Sequence, residues 1–480
     1  MPSFACRAAW LASAALCLAA APSAHADTLR DALASAYRTN PSLEAARAQQ
    51  RAVDENVPIA RSAGLPSVTA DASVLKYLDA GNAKGTGPTK ILSAGADLGV
   101  PVYSGGAVRN RIRAAKIRVE AGQADLRGTE SAIFSAVVAA YMDVIRGEAI
   151  VGLRRKNVAV LQTNLQATSD RFEIGDLTRT DVAQSQSRLA LARSDLLSAE
   201  ANLAASREGY IQLVGKPPEN LQAPSPLPQL PPTADEAVGI ALESNPDLVA
   251  ARERSKAAEK DINVAGAGRL PRVSLFTSGD ATDYLGSVNP ALISEHNRTV
   301  SAGARVSVPL FQGGLPAAQR RQAQAQASAA LEQEIAVERD VIAQVRSAYT
   351  SWSAANDLIR SSQVAVDAAS LSLEGVRAEN SVGNRTILDI LNAEQELLNA
   401  QVQLVTARRN AYVAGFSLLA SMGKAEARDL NLDSEILYDP TVNYERVRDK
   451  ILDWDDDPAP AARSTRTVDT PVQDGNIPTQ

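Results

Sequence analysis

At 480 residues the chain has room for two or three ordinary domains. Only 4% of it is aromatic, and Ala, Gln, Arg, Leu and Ser dominate, which suits long helices packed through small side chains rather than a thick globular core. A net charge of −6 argues against a nucleic-acid partner.

Residues 1–26 read as a secretory signal: Arg7 supplies the positive start, Trp10 to Ala21 an apolar run, and Ala24-His25-Ala26 a cleavage site. Both cysteines, Cys6 and Cys17, lie in this segment, and Leu16 does not suit a lipobox. The exported chain is therefore expected to carry neither disulfide nor lipid anchor. No later stretch offers about 18 consecutive apolar residues, the length a spanning helix needs.

After residue 26 the chain is written twice, as a first repeat over 27–215 and a second over 233–423. Thr28–Val74 matches Thr233–Gly279 at an offset of 205, and from Val100 onward the offset is 208. Each half is expected to open with one amphipathic helix, about 28–62 and 233–266, stopped at Leu65-Pro66 and Leu270-Pro271. A strand is expected near 67–77 and 272–282. A polar loop then follows over Asp79–Thr89 or Asp283–Arg298.

The second strand of each half carries the plainest pattern. Val300, Ala302, Ala304, Val306, Val308 and Leu310 alternate with Ser301, Gly303, Arg305 and Ser307; Leu92 to Val102 alternate likewise around Ser93, Gly95, Asp97 and Gly99. Alternation over about ten residues marks a strand with one apolar and one wet face, long enough when tilted to cross a bilayer. On the wet face Asp97 and Arg305 occupy corresponding positions and are candidates to pair. Each strand ends in Pro-x-aromatic-x-Gly-Gly, namely Pro101, Tyr103, Gly105, Gly106 and Pro309, Phe311, Gly313, Gly314. Four such strands cannot close a membrane barrel, since small barrels begin at about 8 strands and open edges are not tolerated in lipid. Assembly with further copies is therefore expected, in the outer membrane of a Gram-negative cell.

Beyond each Gly-Gly joint a seven-residue apolar register takes over. Val137, Val144, Val151, Val158, Leu165 and Phe172 run out, and Val182, Leu189, Leu196, Leu203 and Tyr210 return; Val345 to Leu373 and Ile390 to Leu418 do the same in the second half. A neighbouring seam, Leu391, Leu398, Val405, Tyr412 and Leu419, gives that last helix neighbours on both sides. The outgoing helix, roughly 107–171, would span about 95 Å. The reversals fall at Gly175 and Gly383. Residues 216–232, rich in proline, read as an extended linker between the halves. Residues 424–452 hold a further short amphipathic piece, about Glu435–Leu452, and 453–480 an acidic, Pro-rich tail expected to be disordered.

Signal, duplicated halves, Pro-x-aromatic-x-Gly-Gly joints and Gly-x-x-Thr-x-x-Asp turns together resemble the TolC-type outer-membrane efflux protein family over about residues 28–440. The resemblance implies a membrane α+β fold: a homotrimer giving one 12-stranded outer-membrane β-barrel, four strands per chain, continued by a long periplasmic α-helical barrel of coiled coils. It implies a periplasmic adaptor (membrane fusion) protein, an inner-membrane ABC or proton-driven pump and outer-membrane lipids as partners. It implies passive export of protein or small molecules. The missing lipobox leans toward type I protein secretion, with multidrug efflux as the alternative. The resemblance further implies that the turns are a periplasmic entrance, with Arg385 bonding toward Thr180 or Asp181 and Asp389 forming a ring in the constriction. Two positions depart from that pattern: Asn380 stands where the family has a link-forming tyrosine, and Asn392 where it has a second pore aspartate. Tyr103 and Phe311 fall where a periplasmic aromatic girdle belongs.

No catalytic constellation, metal cluster or phosphate loop is present in the sequence; His25 leaves with the signal and His296 sits alone in a loop, so neither a cofactor nor an enzyme activity is expected. Rival readings are a closed, periplasm-spanning spacer and a soluble helical adaptor.

Overall fold

A computed structural model describes residues 27–78, 89–228, 230–285, 294–432 and 437–477. The signal segment and most of both polar loops therefore lie outside the described residues. The chain is mostly helical, with one four-stranded sheet at one end.

Each expected opening helix is broken at Asn-Pro. Helix α1 (Leu29–Thr39) starts on a capping box, in which the Thr28 hydroxyl and backbone nitrogen donate to Asp31 Oδ2 at 2.6 and 3.1 Å. It stops at Asn40, whose ψ of 122° is the extended value that a following proline imposes. The same Asn40 caps α2 (Pro41–Asp54), its Oδ1 accepting from Ser42 and Leu43, while Pro41 takes the first helical position where no N–H is needed. Asn245-Pro246 repeats the device between α6 (Ala234–Ser244) and α7 (Pro246–Gly266). The first half has one more short helix, α3 (Asn56–Ser62).

Strands β1 (Ser67–Lys76), β2 (Lys90–Ser104), β3 (Arg272–Leu285) and β4 (His296–Ser307) pair antiparallel in that order, so β1 and β4 are both edges. Two expectations shift here. Strand β3 runs three residues past 282 and β4 begins at His296, so the loop expected over Asp283–Arg298 is shorter. The far end of the second alternating stretch, Val308 to Phe311, is not strand, because Pro309 has no donor for the ladder.

Two helices of 67 residues, α4 (Ala107–Glu173) and α8 (Leu315–Ser381), leave the sheet and would each reach about 100 Å. Both start at glycines in the left-handed region, Gly106 and Gly314 at φ +80° and +83°. Gly105 is constrained twice. Its φ is +65°, and a Cβ there would lie 2.8 Å from Leu270 Cβ. Helices α5 (Arg179–Val214) and α9 (Ile387–Ser421) return. Within the chain α4 packs on α5, α7 and α9, and α8 packs on α9, α7 and α6, so that α5 and α8 come at the two ends of the long-helix layer.

The core sits part-way along the long helices, where Phe134, Val137, Tyr141, Val144, Leu203, Tyr210, Val345 and Phe416 meet α1 and α6. The 216–232 segment is wrapped onto this core: the Tyr141 hydroxyl lies 2.7 Å from Gln222 O, Tyr349 donates to Pro232 O at 2.5 Å and Tyr412 to Ser225 O at 3.1 Å. The expected amphipathic piece after 435 is shorter than read, α10 (Pro440–Val447).

The tail, expected to be disordered, has no helix or strand from 453 to 477 and is bonded to the rest of the chain near its two ends. Arg446 holds Asp457 through two bonds of 2.7 and 2.8 Å. Arg207 donates to Asp474 O and Asn476 O at 2.8 and 3.0 Å, Arg155 donates to Ile477 O at 3.1 Å, and Ile477 packs on the core. Composition does not report the backbone carbonyls through which residues 474–477 are held.

Candidate functional site

The helix reversals are built alike. In each, the outgoing helix ends on a residue near the bridge region, a left-handed glycine follows (Gly175 and Gly383, both φ +83°), and a backbone N–H closes back: Asp176 N to Arg171 O and Asn384 N to Glu379 O, each 2.9 Å. Each returning helix starts on a capping box. Thr178 donates to Asp181 Oδ2 at 2.7 Å and accepts from Asp181 N; Thr386 and Asp389 repeat the geometry. These hydroxyl bonds hold both carboxyls below the usual carboxylate range, so both are anions on a helix N-terminus.

A local partner occupies each charge at the second turn. Arg385 Nε donates to Glu379 Oε2 at 2.6 Å, and Asn380 Nδ2 donates to Arg385 O at 2.7 Å. Within one chain Arg385 therefore does not reach Thr180 or Asp181. Asn380, which lacks the phenol of the family pattern, instead closes its own turn. At the first turn the signs are reversed, with Arg171 bonding to Asp176 at 2.7 Å. Both tips leave an apolar side chain exposed, Ile174 and Val382.

The bonds that join one hairpin to the other lie further from the tips. Arg188 on α5 donates to Asn392 Oδ1 on α9 at 2.8 Å. Glu394, only 7% exposed, takes both oxygens to Asn164 Nδ2 on α4 at 3.1 Å and one to Arg377 on α8 at 2.9 Å. One buried carboxylate thus ties three helices, beside an apolar layer of Leu161, Leu189, Ala192 and Leu391. Sequence reading missed Glu394, Asn164, Arg377 and Arg188. A signal existed: Glu394 falls three residues after Leu391 and four before Leu398, on an apolar seam where a charge needs partners.

In the sheet, the register places Asp97 and Arg305 on one face but does not bring them together. Arg305 faces Ser274, which faces Pro101, four residues along β2 from Asp97. The guanidinium lies over the Phe276 ring at 5.1 Å instead, and Gly303 leaves that ring its space. His296, expected alone in a loop, opens β4 with Nδ1 2.7 Å from Asp283 Oδ1. Among the described residues no group of acidic, histidine or cysteine side chains could hold a metal ion, and no helix is long and apolar enough to cross a membrane.

Comparison with known proteins places these features. Residues 32–216 and 237–424 match the family described as outer membrane efflux protein. The chain is 32% identical over 424 residues to the outer membrane efflux protein BepC of Brucella suis, covering 88% of this chain and 91% of that one. It is 26% identical to the Escherichia coli outer membrane protein TolC, over 94% and 95% of the two chains. Over 62% of each chain it is 29% identical to the alkaline protease secretion protein AprF of Pseudomonas aeruginosa. Among solved structures, the fold resembles the outer membrane protein VceC of Vibrio cholerae with a TM-score of 0.70 at 22% identity, covering 82% and 96%. It resembles the Campylobacter jejuni CmeC outer membrane channel with a TM-score of 0.72 at 16% identity, covering 88% and 89%.

Proposed function

The chain belongs to the outer membrane efflux protein family, and on that premise we propose that it is the outer-membrane duct of a tripartite exporter. In this reading three copies close their sheets into one 12-stranded barrel, with the polar face of Asp97 and Arg305 lining the lumen. The long helices carry the tunnel through the periplasm. The observation that carries it is the sheet: four strands with one apolar face and two unpaired edges, mounted on helices of 67 residues. A bilayer cannot hold those edges open, and copies of the same sheet are the closest groups able to pair them.

The helix reversals are then the periplasmic entrance. Asp389, an anion on a helix N-terminus, repeats three times around the axis and favours cations there. The exposed Ile174 and Val382 suit docking of a periplasmic adaptor, which would couple the duct to an inner-membrane pump. Protein cargo of the type I kind remains the reading for substrate, on the likeness to the protease secretion protein AprF; the likeness to the efflux protein BepC carries the efflux alternative.

Planar-bilayer recording of the purified assembly tests this. We expect discrete conducting events that prefer cations, and a lower cation/anion permeability ratio for Asp389→Asn. An assembly that inserts but never conducts would favour the closed spacer.

A further inference from the structure

The end of the sheet remote from the helices carries its charges in a pattern that the duct reading does not use. The ladder register sorts every strand residue onto one of two faces. On the apolar face the strands read Val68, Ala70, Ala72, Val74 and then Lys76; Lys90 and then Leu92, Ala94, Ala96, Leu98; Arg298 and then Val300, Ala302, Ala304, Val306. Within the last four residues of each strand the formal charges are Lys76, Lys90, Asp283 and Arg298, and all fall on this face together with His296. The other face has Ser73, Leu75, Ile91, Ser93, Thr282, Tyr284 and Asn297 beside them, and at the level of Thr299 only the acids Asp71 and Asp280; it carries no cation there. Cations that only served to wet the loops would fall on both faces.

Lys76 and Lys90 are directly opposite each other in the β1–β2 ladder. Like charges so placed repel, which an anion between them relieves. Asp283 is engaged by His296. Among the described residues no ion pair takes Lys76, Lys90 or Arg298, and all three are exposed. Long basic side chains at the end of a lipid-facing strand extend their stems along hydrocarbon and hold their heads at the depth of the phosphates.

We propose that this rim binds the phosphate groups of anionic lipid in the outer leaflet, with Lys76, Lys90 and Arg298 as the binding residues. The inference rests on the sheet's being the membrane-crossing part, but not on the entrance or the cargo. It commits to a membrane lipid rather than free phosphate, because the cations continue an apolar face that only an acylated molecule can cover.

The test is native mass spectrometry of the full-length assembly in non-ionic detergent, incubated with bisphosphorylated lipid A or the same lipid dephosphorylated. The parent protein should retain the phosphorylated lipid preferentially. Each of Lys76→Gln, Lys90→Gln and Arg298→Gln should weaken it roughly fivefold, the effect of about 1 kcal/mol per basic residue at an anionic surface. Asp283→Asn, which removes the acid, should strengthen it, a gain that a variant merely failing to assemble would not show. Arg305→Gln on the opposite face should leave retention at the parent value. Equal retention of both lipids, or retention untouched by the three glutamine variants, overturns the proposal while leaving the barrel intact. Retention of no lipid of either kind overturns it along with the membrane-crossing sheet.

Discussion

Two buried carboxylates show how differently one residue type is used along the same helices. Glu394 accepts three hydrogen bonds from Asn164 and Arg377, so replacing it by alanine removes the bonds of a half-buried amide and a guanidinium, at a cost of about 0.5–1.5 kcal/mol. Arg385 and Glu379 are both about half exposed, and a solvated pair of that kind contributes little to holding the turn. We therefore expect Glu394→Ala to raise single-channel conductance and Arg385→Ala to change it little; the reverse order in bilayer recordings would return the lock to the tip. Glu130 behaves otherwise. Burial pushes its carboxyl up to about 7, against the opposing Ala427 N–H that bonds to it. Because the folded chain holds this proton more tightly than the unfolded one, the group costs nothing below about pH 4.5. The cost grows as pH rises from there to about 7, where the unfolded chain has already lost its proton, and is constant above. At about 1.4 kcal/mol per pKa unit, the roughly 2.5 units between 4.5 and about 7 make it on the order of 3–4 kcal/mol. Thermal unfolding at pH 5 and pH 8 should show the parent losing stability and Glu130→Gln, which keeps an acceptor for Ala427, losing much less. These side chains also mark what was legible. The turn residues Gly175, Gly383, Asp181 and Asp389 announce themselves by spacing, since local backbone geometry demands them. Glu394 and Glu130 each depend on a neighbour more than two hundred residues away in sequence, Asn164 and Ala427, and only the seam position of Glu394 hints at this.

Among the elements, the alternating strands were readable because one face must differ from the other, and a slip of one residue would exchange them. What alternation could not supply is the bulge in β2. Pro101 pairs with Ser274 on the polar face, yet Tyr103 pairs with Val273 on the apolar one, although the two are two residues apart. The irregularity, placed where proline has no donor to give, turns Tyr103 outward to where an aromatic girdle would need it. The helices were readable in length, because the seven-residue seams persist. Their breaks at Asn40 and Asn245 were in plain view as Asn-Pro but were overrun by the apolar period. The strand register makes a sharp expectation. Ala304 faces Leu275 among apolar neighbours, while Ser307 faces Arg272 on the polar side. Ala304→Arg places a cation in lipid at about 2–4 kcal/mol per copy near the midplane, and its level in the outer membrane should fall steeply. Ser307→Arg should accumulate close to the parent level. Quantitative immunoblots of the membrane fraction showing equal amounts of both would mean the faces are exchanged.

For the whole molecule the decisive fact is how much of the chain is left without a neighbour. Along α8, Leu331, Ile335, Leu358 and Leu371 are 45–71% exposed, and on α5 Leu191 and Leu197 are 59% and 67% exposed. These two helices come at the ends of the long-helix layer in the single chain, and β1 and β4 are likewise the two free edges of the sheet. Apolar flanks at both ends of the helical layer, with unpaired edges at both ends of the sheet, are what the proposed assembly requires of one sector of a ring in which each copy meets two others head to tail. Four strands per copy require at least two copies to reach the smallest membrane barrels of about 8 strands. The number three comes from the family likeness rather than from this geometry. Native mass spectrometry in detergent decides it, with a single species of three chains expected and a stable monomer or dimer excluding the closed 12-stranded ring. Leu191→Glu and Leu371→Glu, placed on opposite flanks, should each reduce that species, because either substitution spoils the same repeated interface from one side. If only one does so, the flanks do not face each other and the order of helices around the ring is different.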